Sequence, residues 1–338
     1  MRLDWKSALG IALSVAMLWW TLRGQSMSDV WGALQQSNVL LFSLSVVVGT
    51  CMFPLRARRW QTILEPSAGV IPFGPLWRAT AIGMMMNNVF PFRAGEFARA
   101  FALTREVPRL PLTTSLGSLA IDRIFDAIVL LALMFGAMLD PVFPSGTKIL
   151  GRTVPEAATG GIAAVVGLLA VCYYVVLQHE RVMQFVGWLA RKLMPKHETT
   201  LVRFVEHGVG GLAVLKDSRR FLAVLFWALL HWLVQAVSFY LAFLAIGIDA
   251  PFTAALFLQG VLGIGVSIPS SPGFFGVFEL VATLGLGVYG VPKDIAFSWA
   301  IGYHILTFIP ITVMGAVYFA RMGLSVGSVA GPKAGSMA

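Results

Sequence analysis

The stretch "NNVFPFRAGEFARAF", residues 87–101, decides how this chain is read. It follows the apolar run "ATAIGMMM", breaks at Pro91, and then sets Arg93, Glu96 and Arg99 within two helical turns. Proline ends a helix because it lacks the N–H and its ring clashes with the preceding turn. Charges placed directly after such a break, in apolar surroundings, need polar company or water. The meaning of the stretch therefore depends on what encloses it.

Composition settles that. Of 338 residues 57% are hydrophobic and 12% charged, with a mean hydropathy of +0.79. Soluble domains carry about 25% charged residues. Apolar runs of roughly 17–25 residues, the length that crosses a ~30 Å hydrocarbon core, recur along the chain. The expected fold is an all-α polytopic membrane protein. The runs are continuous, without the two-residue alternation of a transmembrane barrel. The net charge of +9 points to anionic lipid headgroups at the cytoplasmic face and not to nucleic acid, because Lys and Arg gather in a few short loops. Cys51 and Cys172 fall inside apolar runs and read as small buried hydrophobes, implying neither a disulfide nor a metal site. Arg2 and Lys6 precede the run Ala8–Trp20, but no small-x-small cleavage site follows, so this segment reads as a retained span.

Six spans are expected at roughly 5–22, 38–55, 112–139, 157–177, 221–247 and 295–320. With the N-terminus in the cytoplasm, most of the 25 Lys and Arg fall in cytoplasmic loops, including "RARR" at 56–59. Both termini are thus expected in the cytoplasm, in the cytoplasmic membrane of a bacterium. The connector 178–220 contains "RVMQFVGWLARKLMPK", with Val182, Phe185, Val186, Leu189 and Leu193 at helical spacing, as suits a helix lying among headgroups. The tail 322–338 is small and polar, a composition that favours disorder.

Two further apolar segments, 76–104 and 251–290, are interrupted. The arms of 76–104, split at Pro91, are too short to span twice at about 1.5 Å per residue, so a re-entrant hairpin fits. In 251–290 the break is "IPSSPGFFG"; charge does not separate a hairpin from two full spans there, and the uncharged break favours re-entry. Each half of the domain (5–140 and 157–321) then holds two spans, a broken hairpin and a third span. An odd number of crossings inverts the second half relative to the first. The breaks also share a pattern: Pro91, Gly95 and Glu96 in one, Pro272, Gly273, Gly276 and Glu279 in the other. Inverted repeats with broken helices meeting at the midplane are a secondary-transporter architecture.

The chemistry expected at the breaks is anion binding. Gly95 permits close backbone approach, and a half-helix starting near Ala94 aims N–H groups and a positive dipole end at the break. Arg93 and Arg99 supply donors that suit a phosphate. Asn87 and Asn88 cap the other arm or meet a headgroup. Glu96 pairs with Arg99, or carries a proton or a cationic headgroup. In the third span, "SLGSLAIDRIFDAIV", Ser115, Ser118, Asp122 and Asp126 form one polar stripe with Arg123 beside it. Each such charge costs about 2.5–3.5 kcal/mol at a helix centre, which implies an Arg123–Asp126 pair and partners on the hairpin. The alternative role for these groups is a structural ion network locking hairpin to span. Glu279 has no cation near it in sequence; it reaches the arginines of the first half or holds a proton, which makes it a candidate coupling group. His231, Gln235 and Ser238, and likewise His304 and Thr307, read as hydrogen bonds between helices.

No catalytic residue, metal or cofactor is expected. "FPSG" at 143–146 is followed by Thr147 where a membrane phosphatase element needs histidine, and Ser270 or Ser271 with His304 lacks a Gly-x-Ser-Gly context. Neither metal-ligand spacing nor a phosphate loop opening a soluble domain is present.

Four stretches, "RARRWQTIL", "NNVFPFRAGEFARAFAL", "IDRIFDAIVLLAL" and "SIPSSPGFFGVFEL", together resemble the flippase-like family, also called the lysylphosphatidylglycerol synthase transmembrane region. The resemblance covers roughly residues 5–321. Asp122 stands where the family pattern has Glu, and Phe274 where it has the second glycine of Pro-Gly-Gly. The resemblance implies a lipid-translocating domain; some members are fused to a synthase and move aminoacylated phosphatidylglycerol, and others belong to hopanoid or polyprenyl-lipid pathways. This chain ends shortly after its last span, so a member without the synthase domain is expected, and its substrate is not inherited from the fused ones. The expected function is a flippase or scramblase for a polar or anionic lipid. Its partners are membrane lipids, a second copy, or a lipid-synthesis enzyme. The rival readings are an intramembrane hydrolase and a non-transporting subunit of a synthesis complex.

Overall fold

The apolar runs form helices, and the order of those helices recurs. The computed structural model describes residues 27–90, 94–144, 153–193, 217–267 and 271–325, with residues 19, 146, 199 and 202. Pro91, Arg93, Ser270, nearly all of the expected span 5–22, most of the connector past Leu193 and the tail from 326 lie outside the described residues. A short α1 (Met27–Gln36) leads to the long α2 (Val39–Ala68), started by Asn38, whose side chain accepts the Leu41 N–H at 3.1 Å. Two short helices, α3 (Phe73–Val89) and α4 (Ala94–Glu106), precede the long α5 (Leu112–Ala137). After α6 (Val154–Leu177) and α7 (His179–Leu193), the same order returns. It consists of the long α8 (Ser218–Ile246), the short α9 (Phe252–Gly265) and α10 (Val277–Gly287) around a 3-10 turn at Pro272–Phe274, and the long α11 (Lys293–Arg321).

No strand occurs among the described residues. Helices α2, α8 and α11 and the segment Val154–Val175 are long and apolar enough to cross a membrane. Helix α5, of 26 residues, has that length but carries Asp122, Arg123 and Asp126. The chain is an α-helical membrane protein. Many large apolar side chains, among them Leu40, Val47, Leu222 and Val313, face outward where lipid would cover them. Cys51 faces outward too, against the expectation that it is buried. On α7 the apolar Phe185, Leu189 and Leu193 are left uncovered by the protein, as an interfacial helix requires.

Packing repeats as the order does. The first long helices of the two halves, α2 and α8, lie against each other. Helix α5 packs on α9 and α11 packs on α3, while α4 meets α5 and α10 meets α11. Exchanging the halves maps the α2–α8 contact onto itself and exchanges the others in pairs. The helix that closes one half covers the hairpin of the other, so neither half buries its hairpin alone.

One boundary differs from the expected one in a way that changes the site. Helix α2 does not end near residue 55 but continues to Ala68, so "RARR" is not a loop. Ala57, Trp60, Ile63 and Leu64 keep the helical period through the arginines and are fully buried. Arg56 and Arg59 go in with them.

Candidate functional site

Arg59 on α2 is fully buried between the two acids of α5. Spaced i,i+4, Asp122 and Asp126 lie one above the other on one helix face, which the planar guanidinium fork can bridge. Its Nε donates to Asp122 Oδ1 at 2.7 Å and its Nη1 to Asp126 Oδ1 at 2.7 Å. Arg56, one turn earlier on α2, reaches Asp126 Oδ2 at 3.1 Å. From α4, Arg99 donates to Asp122 Oδ2 at 3.2 Å. Arg123 pairs with Asp126 at 3.2 Å, as its spacing implies, and with Glu96 at 3.3 Å. Glu96 thus meets the arginine of α5, and Arg99 meets Asp122.

Two tryptophans hold this network in place. The Arg99 guanidinium lies 4.1 Å from the centre of the Trp60 ring, an attraction strengthened where water is excluded. Trp60 Nε1 donates to Ser118 Oγ at 2.8 Å, which uses the serine of the polar stripe. From the second half, Trp232 Nε1 donates to Asp126 Oδ1 at 3.2 Å. Helices α2, α4, α5 and α8 therefore meet at one cluster of four arginines and three carboxylates, buried except for parts of Arg123 and Glu96. An uneven buried cluster leaves a positive surplus that favours an anion. Several of its atoms (Arg56 Nε, Arg99 Nε and Nη2, and Arg123 Nε) find no hydrogen-bond partner among the described residues.

The cluster opens on a cavity of about 560 Å³. Arg56, Arg123, Glu96 and Asp126 form its charged wall, Asn87 and Asn88 a neutral polar edge, and Met84, Leu130 and Phe274 an apolar side. Both breaks contribute to it. Asn87 Oδ1 accepts the Gly95 N–H at 2.8 Å, closing the first hairpin across its own break. Asn88 Nδ2 donates to Thr312 Oγ1 of α11 at 2.7 Å, tying that hairpin to the second half. A Cβ on Gly95 would lie 1.9 Å from the Gly83 carbonyl oxygen and 2.5 Å from Asn87 Oδ1. Gly95→Ala is therefore expected to push the hairpin arms apart and to lower the melting temperature measurably on heating in detergent. A melting curve superimposable on wild type would show that the arms have room to give.

In the second break Gly273 and Gly276 have φ of +65° and +88°, and Phe274 has φ of +63°. A bulky residue in the left-handed region is strained. The resemblance stated from the sequence implies glycine here, so Phe274 leaves the turn in place at the cost of strain. Glu279 is fully buried. Its Oε2 accepts the Gly276 N–H at 2.6 Å, and its Oε1 meets His304 Nδ1 at 2.6 Å. Its partner is thus a histidine of α11 and not the arginines of the first half. That histidine ring sits between Phe275 and Phe278, 4.4 and 4.3 Å away between centres. Gln235 and Ser238 bond between helices, to the Tyr303 hydroxyl at 2.8 and 2.6 Å.

The structure thus gathers Asn87, Asn88, Glu96, Arg123 and Asp126 around one cavity, with Asp122 and Arg99 behind them, and sets Glu279 apart. Pro91 and Arg93 lie outside the described residues. Sequence reasoning missed Arg56, Arg59, Trp60 and Trp232. The apolar period of Ala57, Trp60, Ile63 and Leu64 carried the signal for the first three; nothing local marked Trp232.

A family model described as "Lysylphosphatidylglycerol synthase TM region" matches residues 7–315. A "UPF0104 membrane protein" of Methanothermobacter thermautotrophicus is 26% identical over 330 residues, covering 92% of this chain and 91% of that protein. "UPF0104 membrane protein PH1989" of Pyrococcus horikoshii is 21% identical, covering 91% of this chain and 94% of the relative. "Glycosyltransferase AglD" of Haloferax volcanii is 27% identical over 76% of this chain, yet the match spans 45% of that relative's length. These three relatives are archaeal.

Proposed function

Because the chain belongs to the lysylphosphatidylglycerol synthase transmembrane-region family, we propose that it moves an anionic lipid headgroup between leaflets through the cavity walled by Arg56 and Arg123. The observation that carries this reading is a cluster with one more arginine than carboxylate, two of whose arginines, Arg56 and Arg123, reach the wall of a 560 Å³ cavity. That volume lies within the roughly 300–1,000 Å³ of ligand pockets, enough for a headgroup while acyl chains stay in lipid.

The transport architecture is two inverted repeats with six spans and two re-entrant hairpins. The arm lengths of 17, 13, 14 and 11 residues support it. At about 1.5 Å per residue even the longest falls short of a ~30 Å core. The exchange of contacts between the halves supports it as well. The bias of Lys and Arg favours N- and C-termini in the cytoplasm. Candidate substrates are phospholipids, aminoacyl-phospholipids, hopanoids and polyprenyl-linked lipids. A relative named as a glycosyltransferase supports a place beside lipid or glycan synthesis.

The Glu279–His304 pair favours one rival, since it resembles the half of a hydrolytic triad that orients the base. Against that, the Ser271 hydroxyl donates to the Phe275 carbonyl at 2.9 Å. Purified protein in liposomes with labelled lipids of several headgroups separates the readings. Leaflet transfer without covalent change is expected; cleavage of the lipid would establish a hydrolase, and neither outcome would leave a non-transporting subunit.

A further inference from the structure

Gln259 on α9 is 2% exposed, yet neither its Oε1 nor its Nε2 has a hydrogen-bond partner among the described residues. Buried amides are rarely left so, because the unpaired groups lose their hydration without replacement. Gln259 lines a second cavity of about 270 Å³, far larger than the roughly 30 Å³ share of one water. Asn88, Gln235, His304 and Thr307 are its other main polar walls, and no Asp, Glu, Lys or Arg among the described residues lines it. His304 is held through Nδ1 by Glu279 at 2.6 Å, so Nε2 is its remaining ring nitrogen. This cavity shares Asn88, Trp232 and Phe274 with the cationic one, so the two adjoin.

We propose that the Gln259 cavity is a subsite for the uncharged, hydroxyl-rich part of a lipid headgroup, a polyol or sugar carried on the phosphate. A hydroxyl donates and accepts at one atom, and a primary amide offers both functions side by side. The absence of a lining carboxylate leaves nothing to neutralise an ammonium group there. The anionic phosphate then faces Arg56 and Arg123 while its substituent reaches past Phe274 to Gln259. This subsite rests on the reading of the first cavity as a lipid-headgroup site.

Lipid binding to the purified full chain, read by native mass spectrometry, tests the subsite. The probes are phosphatidylinositol and phosphatidylethanol, which carry the same single negative charge and differ in hydroxyls. Wild type is expected to prefer phosphatidylinositol by roughly tenfold, the effect of one or two good hydrogen bonds. Gln259→Leu should bring the preference close to one. It should also keep or raise the melting temperature, because it removes an amide that pairs with nothing in the protein. Equal affinities in wild type, or a preference that survives in folded Gln259→Leu, would overturn the subsite and leave the amide to water. A destabilised Gln259→Leu that loses both lipids alike would overturn it too, and assign the residue to packing. The readout is binding, so a failure of leaflet transfer would sink the transport reading without touching this result.

Discussion

Arg59→Ala will lower the stability of the folded protein by about 3–5 kcal/mol, the usual cost of removing one partner from a buried ion pair. Arg59 is fully buried and donates to both Asp122 and Asp126. Without it, two carboxylates keep their desolvation cost and lose their best neutralising partner. Arg99, Arg56 and Arg123 still touch them, but from one side each. The loss should appear as reduced folded yield and a lower melting temperature in fluorescence-detected size exclusion. Arg59→Lys should recover only part of it, since an ammonium keeps the charge but not the fork that spans two acids. An alanine variant that melts like wild type would remove Arg59 from the structural role.

That role is distinct from the role of Arg123. Arg59 and Arg99 are sealed inside and fasten α2 and α4 to α5. The Arg123 side chain is 33% exposed and stands on the cavity wall. The same cluster thus contains arginines that hold the bundle together and arginines that, under the proposed function, would meet the ligand. Of the two expectations for the polar stripe, the ion network is present, and headgroup binding is the proposal that Arg123 tests.

Much of this was legible in the chain. The apolar runs placed the long helices, and Pro91, Pro272 and Gly276 marked the breaks. The spacing of Ser118, Asp122 and Asp126 announced a polar face inside α5. The expected Arg123–Asp126 pair is present at 3.2 Å. What failed to show was pairing between distant helices. "RARR" reads as a cytoplasmic loop when basic residues are counted toward topology, and its partners lie more than sixty positions away. Glu279 has no cation beside it in sequence because its partner, His304, comes from a helix 25 residues on. The Phe274 φ of +63° is likewise a demand of the turn that its own residue type argues against.

The most direct measurement is leaflet transfer by Arg123→Gln in liposomes, compared with wild type for an anionic phospholipid and an uncharged, phosphate-free glycolipid of the same acyl chains. Arg123 reaches Glu96 and Asp126 while part of its side chain faces the cavity, so glutamine keeps a polar wall and removes the charge. A charge-assisted hydrogen bond to phosphate contributes roughly 1.5–3 kcal/mol, so transfer of the anionic lipid should fall at least about tenfold. Transfer of the phosphate-free lipid should change far less, and the melting temperature should stay close to wild type. Undiminished anionic transfer by folded Arg123→Gln would contradict a cationic headgroup site at this cavity, as would a loss that merely tracks folded yield.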